Sequence, residues 1–105
     1  MQRNVHLYNN YVDPQILKAD ASDWLAVFST RPGFGLQQLY LSSSTDGNTW
    51  TVDSTPLASV SGRNIVDPTS VRLGSKTFRL DYSVSAGTNP FTGPFTLQSG
   101  VLTMP

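Results

Sequence analysis

The sequence predicts an all-β fold built from two antiparallel four-stranded sheets, and three observations predict it. No window keeps apolar residues at helical three-and-four spacing without a Gly, a Pro or a Ser/Thr cluster interrupting it. Short aliphatic, aromatic and β-branched stretches alternate instead with turn-forming residues. The chain also repeats: Val12-Asp13-Pro14 returns as Val66-Asp67-Pro68, and Phe28-Ser29 as Tyr82-Ser83, both after 54 residues. Two matches at one offset mark a duplicated supersecondary unit.

The elements follow in order. Gln15 to Ala19 forms a first strand ending at Asp20-Ala21-Ser22, and the apolar run Trp24 to Phe28 forms the second. Arg31-Pro32-Gly33-Phe34-Gly35 is a loop, because Pro fixes φ and Gly allows positive φ. Leu36 to Ser42 alternates as a third strand, with Leu39 and Leu41 opposite in direction to Tyr40. Ser43 to Asn48 contains Asp46-Gly47, a strong hairpin signal. Thr49 to Ser54, rich in Thr, Trp and Val, is the fourth strand. After a loop from Ala58 to Asn64, Ser70 to Leu73 and Phe78 to Ser83 repeat the first two strands. Phe95 to Leu102 supplies a third strand and part of a fourth. The chain therefore reads as a single domain, 1–105, with repeat one at about 12–56 and repeat two at about 66–105. The alternation from Arg3 to Tyr8 makes 1–10 a candidate extra outer strand.

Composition narrows the function. Seven Lys and Arg balance seven acidic residues, so no basic face is available to grip a phosphate backbone or an anionic membrane, and nucleic acid and membrane partners are not expected. No apolar run reaches the length of a membrane span or a signal-peptide core, which reads as a soluble chain with its compartment open. The absence of cysteine excludes disulfides, thiolate metal sites and a cysteine nucleophile. His6 is the only histidine, so neither a histidine-rich metal site nor an intrachain catalytic pair of histidines is possible, and no cofactor is expected. All seven acidic residues are Asp, which excludes any mechanism needing a Glu acid within one chain.

Three stretches resemble a known architecture: the two Asp-Pro openings at Asp13 and Asp67, the turn Ser44-Thr45-Asp46-Gly47-Asn48-Thr49-Trp50, and the pair of phrases Asp67 to Leu73 and Phe78 to Ser83. Together they resemble the five-bladed β-propeller glycoside hydrolases of the arabinanase and xylosidase type, and more loosely the sialidase-like propellers with their Asp-box turns. The resemblance covers roughly residues 12 to 84. It implies that each four-stranded sheet is a propeller-blade-like unit, that Asp13 matches the family's general base, and that Asp67 matches the aspartate that tunes the acid and orients substrate. The family's acid is a Glu from a later blade and has no counterpart in this chain. Catalytic candidates are thus restricted to Asp13 and Asp67, and activity by the chain alone is not the expectation.

Each candidate also has a plainer explanation. Asp13 and Asp67 either bind sugar hydroxyls or cap the entry to an inner strand, with Pro fixing the turn. Asp46, Gly47 and Trp50 are read as a structural turn: Asp accepts turn amides, Gly permits positive φ, and Trp packs between sheets. Phe34, Phe91 and Phe95, in or beside Gly/Pro loops, are candidates to stack on a sugar ring or another subunit, with burial under the loop as the plainer reading. Trp24, Phe28, Phe78 and Tyr82 are read as packing, and Arg72 and Arg79 as ion-pair partners of Asp81 or Asp67 on adjacent strands, with a bound carboxylate or phosphate as the alternative.

Two blade-like sheets leave apolar faces that must be covered, so completion by oligomerisation is expected, a homo-trimer ahead of a dimer and the monomer last. The functional expectation is a carbohydrate-binding module with Asp13, Asp67, Phe34 and Phe91 at its pocket and a saccharide as partner. A glycoside hydrolase fragment or relic, and a structural or interaction module without a small ligand, are the alternatives.

Overall fold

The computed structural model describes residues 11–30, 35–89 and 93–104. Seven strands and no helix make up the described residues: β1 (Tyr11–Asp20), β2 (Asp23–Thr30), β3 (Leu39–Ser44), β4 (Thr51–Val52), β5 (Ile65–Arg72), β6 (Thr77–Ser85) and β7 (Phe95–Thr103). They form two antiparallel sheets in sequential order, β1-β2-β3-β4 and β5-β6-β7. No described helix is long and apolar enough to cross a membrane.

The second sheet differs from the expected four strands: three are present among the described residues. Phe95 to Thr103 runs unbroken beside β6, in register from Ser85 opposite Phe95 to Thr77 opposite Thr103. Nothing in that stretch bends the chain into a further strand, so it is one long strand rather than a third and part of a fourth. The fourth strand of the first sheet is shorter than expected, because the hairpin turn extends through Thr49 and leaves Thr51 and Val52 to pair with Ser43 and Ser42. The candidate outer strand 1–10 lies outside the described residues.

The repeat seen in the sequence is a repeat of strand register. Tyr11 faces Thr30 and Val12 faces Ser29 in the first sheet; Ile65 faces Val84 and Val66 faces Ser83 in the second. Both inner strands then slip their register, after Val12 and after Val66. Beyond the slip, Gln15 opposite Val27 and Ile16 opposite Ala26 correspond to Thr69 opposite Asp81 and Ser70 opposite Leu80. All four correspondences keep the 54-residue offset.

Alternation along a strand decides which faces meet. In the first sheet Leu25 and Val27 of β2 and Leu39 of β3 point into the core, where Ile65, Phe78, Leu80 and Val84 of the second sheet meet them. Under the 54-residue offset, Phe78 and Leu80 correspond to Trp24 and Ala26, on the opposite face of the first sheet. The sheets therefore stack through non-equivalent faces, the back of one against the front of the next. Phe78, Leu39, Ile65 and Val27 are wholly buried there, each contributing about 1.5–3 kcal/mol relative to exposure. Leu57, Ala58 and Val60 from the connection between the sheets close one side of this core.

At the far end of the inner strands, Arg72 of β5 grips Asp20 of β1 with two parallel hydrogen bonds, Nη1 to Oδ1 at 3.0 Å and Nη2 to Oδ2 at 2.7 Å. Arg79 pairs with Asp81 on its own strand at 3.2 Å. The pairing expected across adjacent strands is not what forms: Arg79 meets Asp81 two residues along the same strand, and Arg72 reaches Asp20 of the other sheet.

Candidate functional site

The site is built from two irregularities in otherwise regular strands. Asp13 and Asp67 each adopt positive φ, 54° and 53°, a conformation that Asp tolerates better than most side chains. Each is followed by Pro, which donates no backbone hydrogen bond, and each marks the register slip of its strand. A β-bulge of this kind bends a strand and re-aims its side chains. The residues lie inside β1 and β5, two positions after the first residue of each strand. The strand-entry cap read from the sequence is thus replaced by an internal bulge.

Because the inner strands are neighbours across the stacked sheets, the two bulges come together. The Asp13 carboxyl is held above its usual pKa first by desolvation, and next by the negative charge of Asp67. The backbone N–H of Asp67 opposes that rise, and the Asp67 carboxyl adds to it as a hydrogen-bonding neighbour. Both residues are exposed at the surface, so a ligand could reach the pair directly.

A buried polar network holds the strand ends that carry the bulges. Ser29 Oγ, opposite Val12, donates to the Ile65 carbonyl at 2.9 Å, two residues before Asp67. Gln37 Nε2 donates to Ser29 Oγ at 3.0 Å and to the Thr30 carbonyl at 2.8 Å. Asn64 accepts the Gln37 backbone N–H on its Oδ1 at 2.7 Å and donates Nδ2 to the Thr88 carbonyl at 2.8 Å. Ser85 Oγ accepts the Asn64 N–H at 2.9 Å. Ser29, Gln37, Asn64 and Ser85 are almost wholly buried, and among the described residues no buried side-chain polar atom lacks a partner. Sequence reasoning missed this network. Gln37 and Asn64 sit in segments read as strand start and loop, and nothing local distinguishes a buried amide from an exposed one.

The Asp46 turn is closed by its own side chains. Ser44 Oγ accepts the N–H groups of Asp46 and Gly47, while Asp46 Oδ1 accepts those of Asn48 and Thr49 at 2.8 and 2.9 Å. The Thr49 and Asn48 amides, then the Ser44 hydroxyl, hold the Asp46 carboxyl below the usual carboxylate range. Trp50, expected to pack between the sheets, lies instead on the face of the first sheet turned away from the second, edge-on to Trp24 and to Phe28 with ring centroids 6.4 and 6.1 Å apart, because alternation puts Trp24 and Phe28 opposite the core-facing Leu25 and Val27. Tyr11 continues the aromatic row against Phe28 and Tyr40.

Phe34 and Phe91 lie outside the described residues. Two open clefts occur elsewhere. One, of about 140 Å³, lies between Leu57 and Ala58 and the β6–β7 face at Leu80, Tyr82 and Leu102. The other, about 200 Å³, is lined by hydroxyl-bearing residues around Asp23 and Ser43. Neither of these two includes Asp13 or Asp67. No group of three or more His, Cys, Asp or Glu among the described residues is placed to hold a metal ion.

No protein-family model matches the chain, and neither does any curated protein or any solved structure.

Proposed function

We propose that the chain is a carbohydrate-binding, propeller-blade-like module in which a saccharide lies against the paired carboxyls of Asp13 and Asp67. One observation carries this reading: the duplicated Asp-Pro bulges converge, so that equivalent carboxyls from the two repeats share one exposed spot. Neighbouring carboxylates are acceptors for the adjacent hydroxyls of a sugar ring. A ligand that donates two hydrogen bonds relieves the repulsion between them.

What speaks against cleavage by the chain alone is the missing acid: the resembled hydrolases supply it from a Glu, and the chain has none.

The reading is tested by thermal unfolding against a panel of pentoses, hexoses and short oligosaccharides. A ligand of the folded state raises the midpoint with concentration, and the Asp13→Asn/Asp67→Asn variant should lose that rise while remaining folded. If no saccharide shifts the midpoint up to 100 mM, a concentration scale of about the weakest useful affinity, the module has no sugar site and a purely structural or interaction role stands in its place.

A further inference from the structure

We propose that copies of this chain assemble head to tail, the outer face of the second sheet of one copy packing on the Trp24–Trp50 face of the first sheet of the next. The inference rests on the internal repeat and is independent of the saccharide reading.

The chain contains one example of the interface. Within it the back of the first sheet receives the front of the second, and these are non-equivalent faces of a repeated unit. One front and one back are then left over. The leftover back is the outer face of β5-β6-β7, and the leftover front is the aromatic face of β1-β2-β3.

Both leftovers have the character of contact surfaces. On the second sheet Leu97, Val101, Val71 and Phe95 are 72%, 65%, 57% and 45% exposed, and the register places Leu97, Val101 and Val71 on the side away from the core. Leu97 pairs with Ser83 as Leu39 pairs with Ser29. Leu39 is completely buried by the second sheet; Leu97 holds the same station with nothing described upon it. On the first sheet Trp24, Trp50, Tyr40 and Tyr11 are half-buried in edge contacts with one another and with Phe28. Such rings are enriched at association surfaces.

Arg79 and Asp81 stand where the internal interface has Leu25 and Val27. Their mutual ion pair makes this back more polar than the internal one, in keeping with a surface that meets a separate chain. The guanidinium would face an aromatic row, a favourable neighbour for it. A heterologous contact of this kind closes into a ring or continues as a filament, and three chains in a ring would bring six sheets together.

The test is mass by size exclusion with light scattering on the full chain and on two blocked variants. Leu97→Asp/Val101→Asp closes the back and leaves the front intact; Tyr40→Asp closes the front and leaves the back intact, with Val52→Asp on that same face as the substitute if Tyr40→Asp does not give a folded circular dichroism spectrum. The unaltered chain should run as an oligomer, each variant alone as a monomer, and their mixture as a species of two chains, because one usable front and one usable back then remain. A monomeric unaltered chain overturns the proposal. So does a variant that dimerises by itself, since that requires like faces to meet.

Discussion

Gly47 lies directly beneath the indole of Trp24: a Cβ at position 47 would stand 2.9 Å from Cζ2 of that ring, and the backbone there has φ of 75°. Space and backbone conformation both require glycine, for separate reasons. Gly47→Ala should cost about 1–3 kcal/mol, from overpacking together with positive-φ strain. Urea unfolding with an unchanged slope and a lowered midpoint is the expected result; no change in midpoint would mean that the Trp24 ring yields freely.

Asp13 leads to a pH prediction with an unusual sign for a carboxylate. Its folded pKa is raised, so between the unfolded value of 3.8 and the folded one the native state keeps a proton that the unfolded state has lost. Stability attributable to this group therefore falls as pH rises through that window and is flat above it. Asp13→Asn, which retains tolerance of positive φ, should be more stable than the parent chain at pH 7, with the advantage fading as pH falls through that window and gone below pH 3.8. Paired thermal melts from pH 3 to 7, a range of about one unit or more around the carboxylate values, read the difference directly. Greater stability of the parent at pH 7 would contradict the assigned pairing.

Asp20 and Asp46 carry the opposite sign. Hydrogen bonding to Arg72 lowers the first, and the amides of Thr49 and Asn48 lower the second. Their contributions are present above pH 3.8, the unfolded value, and are lost as pH falls through the folded values. Asp46→Ala should accordingly destabilise at neutral pH and converge on the parent in acid. A deficit that stays constant with pH would assign the loss to packing instead of the carboxylate.

Asn64 is the hub of the buried network between the sheets. Asn64→Leu removes the acceptor of the Gln37 N–H and the donor to the Thr88 carbonyl, at about 1–3 kcal/mol for each group left buried and unpaired. Amide hydrogen exchange should show the Gln37 N–H losing protection before the amides of β2. Unaltered protection at Gln37 would mean that water replaces the side chain without loss.

Phe78 fills the space between the stacked sheets with no exposed surface. Phe78→Ala should cost about 3–5 kcal/mol, enough to approach the whole stability of a small domain. Denaturant unfolding measures it, and a cost below about 1 kcal/mol would indicate that the two sheets collapse onto one another.

Much of the all-β architecture was legible because its signals are local. Trp24 to Phe28 has the composition of a buried strand, Asp46-Gly47 the chemistry of a tight turn, and the offset between Asp13 and Asp67 is visible without coordinates. The aspartates were identifiable as a matched pair, yet their mutual contact was not, since it depends on how the sheets stack. The second sheet was read with too many strands because Phe95 to Leu102 was divided between a third strand and part of a fourth. In the structure Gly100 simply faces Leu80 in the ladder.

Gln37 and Asn64 were not legible at all. Burial of an amide is decided by what arrives from distant parts of the chain, and Asn64 bonds to positions 27 and 24 residues away.

What the sequence by itself determined is whatever neighbouring residues enforce on one another: strand periodicity, turn chemistry, the duplication, and the absence of Cys and Glu. Tertiary structure alone decided which face of each sheet became interior, how the two bulges were brought together, and why Leu39 is buried while its counterpart Leu97 is not. The physical reason is that alternation gives every strand two faces, and only the stacking of one sheet on the other determines which face leaves water.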